Sequence, residues 1–322
     1  MLQDDLHLIR ERLDAADTIA IFVHTRPDGD SIGATLALGW ALEDEGKKVE
    51  FVSEDPIPER YRFLFQFTAD GKDPFIPAPV HADCYVVPDI SSLDRAGKFF
   101  LDHPEIQPDI CIDHHVSNIG FAKLNWVETD NPAACCILTS IMPKMDFNLT
   151  KRVSSALLTG IITDTNSFSN SNVTTDALRF AADLVDNGAE LFKICRTAYK
   201  EHSIQEMEFW RIGMNHMRIE DGLAWSYILA SEKEAAGIES DETNGFTSYM
   251  GNTTGIKTSV FFIETDEKKV KISWRSVPGY DVAKVAVSFG GGGHKAASGA
   301  TINGPIDQAM LTVINRTREM LF

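Results

Sequence analysis

Four separated clusters of acids and imidazoles stand out in the chain: His24-Thr-Arg-Pro-Asp28-Gly-Asp30, Asp89, Asp113-His114-His115 and Asp164. Each sits where an apolar run ends. Carboxylates and imidazoles converging from several segments make a divalent-cation site. The donors are mostly oxygens, with imidazoles and no thiolate, which suits Mn²⁺ or Mg²⁺ better than a structural zinc. Four carboxylates and two histidines are more than one ion needs. Two ions, roughly 3.5–4 Å apart and sharing one carboxylate, would use them, and such pairs typically activate water for in-line attack on a phosphoryl group.

Each cluster also has a plain reading. Asp-Gly-Asp is common in acidic surface turns, and Asp113 could simply cap a helix. A lone Asp after a strand, such as Asp89 or Asp164, is often a cap as well. Adjacent histidines are unexpected, however, in a chain with only nine. A second feature is Gly290-Gly-Gly-Gly293-His294-Lys-Ala-Ala-Ser-Gly299. Successive glycines let backbone approach a ligand, and their N–H groups can cradle an anion. The run lacks the spacing and the Gly-Lys-Ser/Thr ending of a P-loop. Arg275 could offer a phosphate fork, although taken alone it reads as an ordinary strand arginine.

Composition narrows the class. At 322 residues the chain suits two domains, and its 43% hydrophobic content is ordinary for a soluble protein. No apolar stretch reaches membrane-spanning length, and the charged start does not read as a signal peptide, so a cytoplasmic protein is expected. The five cysteines form no C-x-x-C pair and read as buried thiols. A net charge of −17 argues against gripping long nucleic acid by phosphate neutralisation. Small phosphorylated substrates remain compatible.

The elements that must position the clusters follow from periodicity. Residues 17–24 read as a buried strand, and Ser31 opens an apolar helix over 32–45. Strands follow at 48–53, 84–87 and 109–112, with helices at 151–163 and 174–187. Three clusters lie beyond strand ends, where open parallel sheets bind ligands. Residues 190–219 read as a connecting helical segment. Strands are then expected at 223–230, 258–265 and 270–276, the last two joined across Asp266-Glu267-Lys268-Lys269. Helices are expected at 281–289 and 306–321, with the glycine run after the first of them. The expected fold is α/β: a doubly wound, mostly parallel domain (1–190), a helical linker (191–220) and a smaller α+β domain (221–322), with the active site in the cleft between the domains.

The ordered motifs resemble the DHH phosphoesterases, most closely the nano-RNase subgroup of oligoribonuclease/pAp phosphatases. They are His24-Thr-Arg-Pro-Asp28-Gly-Asp30-Ser-Ile-Gly33, Val87-Pro-Asp89 with Asp94-Arg95, Ile112-Asp113-His114-His115-Val-Ser-Asn118, and Gly160-Ile-Ile-Thr-Asp164. Trp274-Arg275-Ser276 and the glycine-histidine run resemble the domain associated with that family. The resemblance implies two divalent ions, Mn²⁺ before Mg²⁺. His24, Asp28 and Asp89 would hold one ion, while Asp30, Asp89, His114 and Asp164 would hold the other. It further implies that Asp113 orients a neighbouring imidazole and that His115 faces the scissile phosphate. Arg275, Gly292, Gly293 and His294 would bind the substrate's terminal phosphate or nucleotide. The implied substrates are short oligonucleotides, cleaved to mononucleotides, and 3′-phosphoadenosine 5′-phosphate (pAp). Long duplexes and membranes are not expected partners, and a homodimer is the one assembly entertained. Asn166, where relatives commonly carry glycine, and Pro88 before Asp89 depart from the family pattern.

Four rival readings use the same residues. A cyclic-dinucleotide phosphodiesterase or an inorganic pyrophosphatase would keep the metal scaffold. A catalytically silent nucleotide-binding protein would need a missing ligand, and none is missing. A processive exonuclease on long DNA fits the acidic balance least.

Overall fold

Strand β1, Thr18–Phe22, is buried along its whole length, as its uninterrupted apolar and β-branched run requires of a central parallel strand. In the computed structural model, which describes residues 2–199, 201–238, 245–265 and 268–322, the chain forms two compact units, Met1–Glu201 and His202–Phe322. The first unit carries a six-stranded sheet of β1, β2 (Lys48–Val52), β3 (Phe75–Ile76), β4 (Cys84–Pro88), β5 (Ile110–Asp113) and β6 (Leu124–Val127). Every neighbouring pair is parallel and the order is β3-β2-β1-β4-β5-β6. This is the doubly wound arrangement expected from the sequence, and its order reverses between β1 and β4.

Two helices crossing beside this sheet set the geometry that matters. Gly29–Asp44 is buried from its first residue to Leu42, and Lys151–Asp164 is buried over Val153–Ile162. They meet through small residues. A Cβ on Gly33 would strike the Ala156 carbonyl oxygen, and one on Gly160 would lie 2.5 Å from Asp30 Oδ1. A side chain at Gly33 would require one of the two helices to move.

Several expectations need correction. The first helix starts at Gly29 rather than Ile32, because the Asp28 side chain caps it by accepting from the Asp30 and Ser31 amides. The segment read as one helical stretch over 190–219 contains two helices, Leu191–Tyr199 and Ile204–His216. The second is started by a Ser203–Glu206 capping box. Its tail is not helical but forms strand β7, Arg218–Glu220.

The second unit is built on a sheet ordered β11-β12-β10-β9-β8-β7. Its other strands are β8 (Leu223–Ile228), β9 (Thr258–Glu264), β10 (Lys269–Ser276), β11 (Gly292–His294) and β12 (Ala297–Asn303). Among the described residues of this sheet, only β8 and β9 pair in parallel. The turn residues Asp266 and Glu267 lie outside the described residues. The glycine run, where the sequence predicts no strand, ends in one: Gly292–His294 pairs antiparallel with Ala297–Gly299. Helix Ile306–Leu321 has the expected bounds. Among the described residues, no helix is long and apolar enough to cross a membrane.

Gly33→Ala tests the close helix crossing. The added methyl should cost about 1–3 kcal/mol of stability, read as a lower urea midpoint with an unchanged slope. A midpoint equal to that of the parent would contradict the packing described.

Candidate metal centre

The chain leaves β1 and β4 at the point where the strand order reverses, and there it delivers His24 and Asp89. His24 is buried, and its backbone N–H donates to Ser31 Oγ at 3.1 Å. Its Nδ1 lies 2.9 Å from the Thr25 carbonyl oxygen. A carbonyl only accepts, so Nδ1 carries the proton and Nε2 presents a lone pair. That Nε2 faces Asp28 Oδ2 at 3.4 Å and Asp89 Oδ2 at 3.6 Å.

His114 repeats the arrangement. Its Nδ1 lies 3.2 Å from the Asn131 carbonyl oxygen, which fixes the same tautomer. Its Nε2 faces Asp89 Oδ1 at 3.4 Å, Asp164 Oδ2 at 3.6 Å and Asp30 Oδ2 at 3.9 Å. In both places an imidazole lone pair meets carboxylate oxygens. Such groups repel one another unless a cation or proton lies between them.

Asp89 is the residue common to both groups. It follows Pro88 and adopts φ +57°, a left-handed conformation that non-glycine residues rarely take. Its side chain is 3% exposed, and Oδ1 is buried without a hydrogen-bond partner. Burial, then the charges of Asp30, Asp28, Asp164 and Asp113, push its carboxyl well above the usual range.

The other carboxylates divide by environment. Asp30 is raised chiefly by burial, with His114 opposing. Its oxygens accept from the Ala134 and Cys135 amides at 2.6 and 3.0 Å, at the start of helix Ala134–Ile141. Asp164, the last residue of its helix, is pushed to about 7 by burial and then by the charge of Asp30. Burial also acts upward on Asp28, but a proton placed between it and His24, together with the Ser31 and Asp30 amides, outweighs that effect. Asp28 therefore stays ionised, with one oxygen on the helix N-terminus and the other toward His24.

Asp113 is fully buried and held below its usual range. Burial alone would raise it, but His115, Asn118 and the His114 amide offset that effect. Its Oδ1 lies 2.7 Å from His115 Nδ1, and Oδ2 accepts from Asn118 Nδ2 at 2.7 Å. The imidazole it holds is thus that of His115, not His114. His115 Nδ1 also stands 3.7 Å from Asp89 Oδ1.

His24, Asp28 and Asp89 form one group able to surround an ion, and Asp30, His114 and Asp164 form another. Asp89, Asp113, His114 and His115 make a third, overlapping group. All the sequence-expected metal ligands are therefore brought together in the first unit. Arg275, Gly292, Gly293 and His294 lie in the second. There the register aligns Arg275 with Ala297 and Ala297 with His294, placing Arg275 and His294 on one row of the sheet. Arg275 donates to the Trp274 carbonyl at 2.9 Å, and burial lowers its pKa. A cavity of about 500 Å³ beside this row is lined by Lys284, His294 and Lys295, among others.

Sequence reasoning gave no role to Asn118, although it stands three residues past His115. It also missed the Asn131 carbonyl and the Ala134 and Cys135 amides. Backbone groups leave no signature in residue types. Asn166, the departure from the family's glycine, sits at φ +48°; asparagine tolerates that region better than most residues.

Residues 18–161 match the family described as DHH family, N-terminal domain, and residues 223–318 match the DHHA1 domain. The chain is 30% identical over 322 residues to the bifunctional oligoribonuclease and PAP phosphatase NrnA of Thermus thermophilus, covering 99% of this chain and 95% of that protein. It is 26% identical over 294 residues to the Bacillus subtilis protein of the same name, covering 89% and 90%. Among solved structures, an exopolyphosphatase-related protein from Bacteroides fragilis superposes with a TM-score of 0.87 at 22% identity, covering 98% of this chain and 96% of that one. At that identity the likeness concerns the fold.

The raised carboxyls give a pH test on metal-free protein. Asp164 titrates near 7 when folded and near about 3.9 when unfolded. The folded state therefore holds the proton more tightly, and stability falls as pH rises from about 4 through 7. Asp164→Asn should flatten the decline of Tm between pH 5 and pH 8 in chelator-treated protein. An unchanged decline would contradict the assigned shift.

Proposed function

The chain belongs to the DHH family, and on that footing we propose that it is a two-metal phosphoesterase acting on short oligoribonucleotides and on pAp. The observation that carries this reading is the double exposure of Asp89. One oxygen faces His24 and the other faces His114, with Oδ1 buried and unpartnered. The donor set fits two divalent cations. His24, Asp28 and Asp89 would hold one, and Asp30, Asp89, His114 and Asp164 the other. When bound, such a pair supplies an activated water and positive charge for the phosphoryl oxygens. The mixture of carboxylates and imidazoles favours Mn²⁺ over Mg²⁺.

The chain's own groups do the rest. Asp113, anchored by Asn118, fixes the His115 ring with its proton on Nδ1. The other ring nitrogen, when it also carries a proton, donates to the scissile phosphate. Asn131 does the same for His114 through its carbonyl. Arg275 and His294, on one sheet row, with Gly292 and Gly293 beside them, bind a substrate phosphate. Arg275 has no carboxylate within 4 Å among the described residues, so its guanidinium is available to an anion. A net charge of −17 keeps long polyanions away and suits a short substrate in the cytoplasm.

Purified protein with Mn²⁺ should convert a diribonucleotide to mononucleotides and release phosphate from pAp, while sparing a cyclic dinucleotide and pyrophosphate. Asp89→Asn should lose more than the roughly 10–100-fold that follows from removing a group behind a ligand. Near-parental turnover by Asp89→Asn, or exclusive cleavage of pyrophosphate or the cyclic dinucleotide by the parent, would overturn the reading.

A further inference from the structure

Beside Asp28 and Asp164 the first unit has a polar pocket of about 260 Å³, also lined by Arg60, Tyr61, Thr163, Asn166 and Tyr199. Its floor is accounted for. Thr163 Oγ1 donates to the backbone of its own helix, and the Tyr199 hydroxyl lies 3.0 Å from the Ile162 and Thr163 carbonyls. Tyr61 is buried, and burial pushes its phenol up to about 12, so it stays neutral.

Arg10, Arg12, Arg62, Arg152, Arg179 and Arg196 of the same unit each lie within 4 Å of a carboxylate. Arg26, Arg60 and Arg95 have none within that distance among the described residues, and of these three only Arg60 lines the pocket; its guanidinium carbon lies 5.7 Å from the centroid of the Tyr61 ring. In a chain with 47 acids against 30 bases, this guanidinium faces a pocket edged by two acids and pairs with neither. Cations held by Asp28 and Asp164 would neutralise that edge and leave Arg60 as the positively charged side chain lining the pocket. The pocket is smaller than the roughly 300–1,000 Å³ of sites that enclose whole ligands. It has room for one substrate group rather than a nucleotide.

We propose that this pocket is a subsite for a second phosphate of the substrate, one nucleotide away from the scissile one, with Arg60 as its fork. This deepens the proposed function and rests on it. A planar guanidinium can hold two phosphate oxygens at once. The subsite makes the enzyme sensitive to substrate length: a dinucleoside monophosphate has only the scissile phosphate, whereas a trinucleoside diphosphate has one more.

The test compares ApA with ApApA, both without terminal phosphates, on Mn²⁺-loaded protein. Arg60→Ala should raise KM for ApApA by about 10–100-fold, the range of a charge-assisted contact, and leave KM and kcat for ApA within about two-fold. Arg60→Lys should recover part of the loss, since it keeps the charge without the fork. Unchanged KM for ApApA, or an equal loss on both substrates, would overturn the subsite. Binding of the two oligomers, measured with Ca²⁺ in place of Mn²⁺, gives a readout apart from turnover. If the parent cleaves neither substrate, the proposed function fails, yet tighter binding of ApApA than ApA that Arg60→Ala abolishes would still support the subsite. Equal binding in parent and variant would still refute it.

Discussion

The structure turns on mutual repulsion among carboxylates that the fold refuses to separate. Asp28, Asp30, Asp89 and Asp164 crowd around two imidazole lone pairs, and Asp89 and Asp30 are almost wholly buried. Burial of a charge without a partner is costly, and nearby like charges raise that cost. The upward displacement of the Asp89, Asp30 and Asp164 carboxyls expresses both effects. Hydrogen bonds relieve only part of it. Asp30 takes two amides of a helix N-terminus and Asp28 caps another, while one oxygen of Asp89 takes nothing. A pair of divalent cations would remove the repulsion and satisfy that oxygen together.

The rest of the first unit makes such crowding possible. Reversal of the strand order at β1 and β4 opens a crevice beyond their carboxyl ends, where His24 and Asp89 emerge. Small residues let helix Gly29–Asp44 lie against Lys151–Asp164 closely enough for Asp28 and Asp30 to reach the neighbourhood of Asp164. The conformation forced on Asp89 stores strain at the same place, a cost held by the buried strands around it.

Much of this was legible in residue types. The ordered acid and histidine clusters named every carboxylate and imidazole of the three groups in the centre. Buried strands betrayed themselves through runs such as Thr18–Phe22, and Ile306–Leu321 through its helical periodicity. Several misses share a cause: backbone groups supplied what side chains were expected to supply. Asp28 looked like a turn residue because its role as a cap depends on amides two and three residues on. The four glycines were assigned no strand because glycine offers no pattern by which to read one, yet Gly292–His294 pairs with β12. The capping box at Ser203–Glu206 was readable and breaks the segment that apolar periodicity alone had joined. Arg60 carried no signal in the sequence, since its role rests on the pocket it lines, which only the fold reveals.

The central claim is that two divalent ions share Asp89, and counting bound metal tests it most directly. Equilibrium dialysis of chelator-stripped protein against Mn²⁺, followed by elemental analysis, should give two ions per chain. Asp89→Asn should weaken both together. One ion per chain in the parent, or a variant that weakens one site and leaves the other intact, would contradict the account.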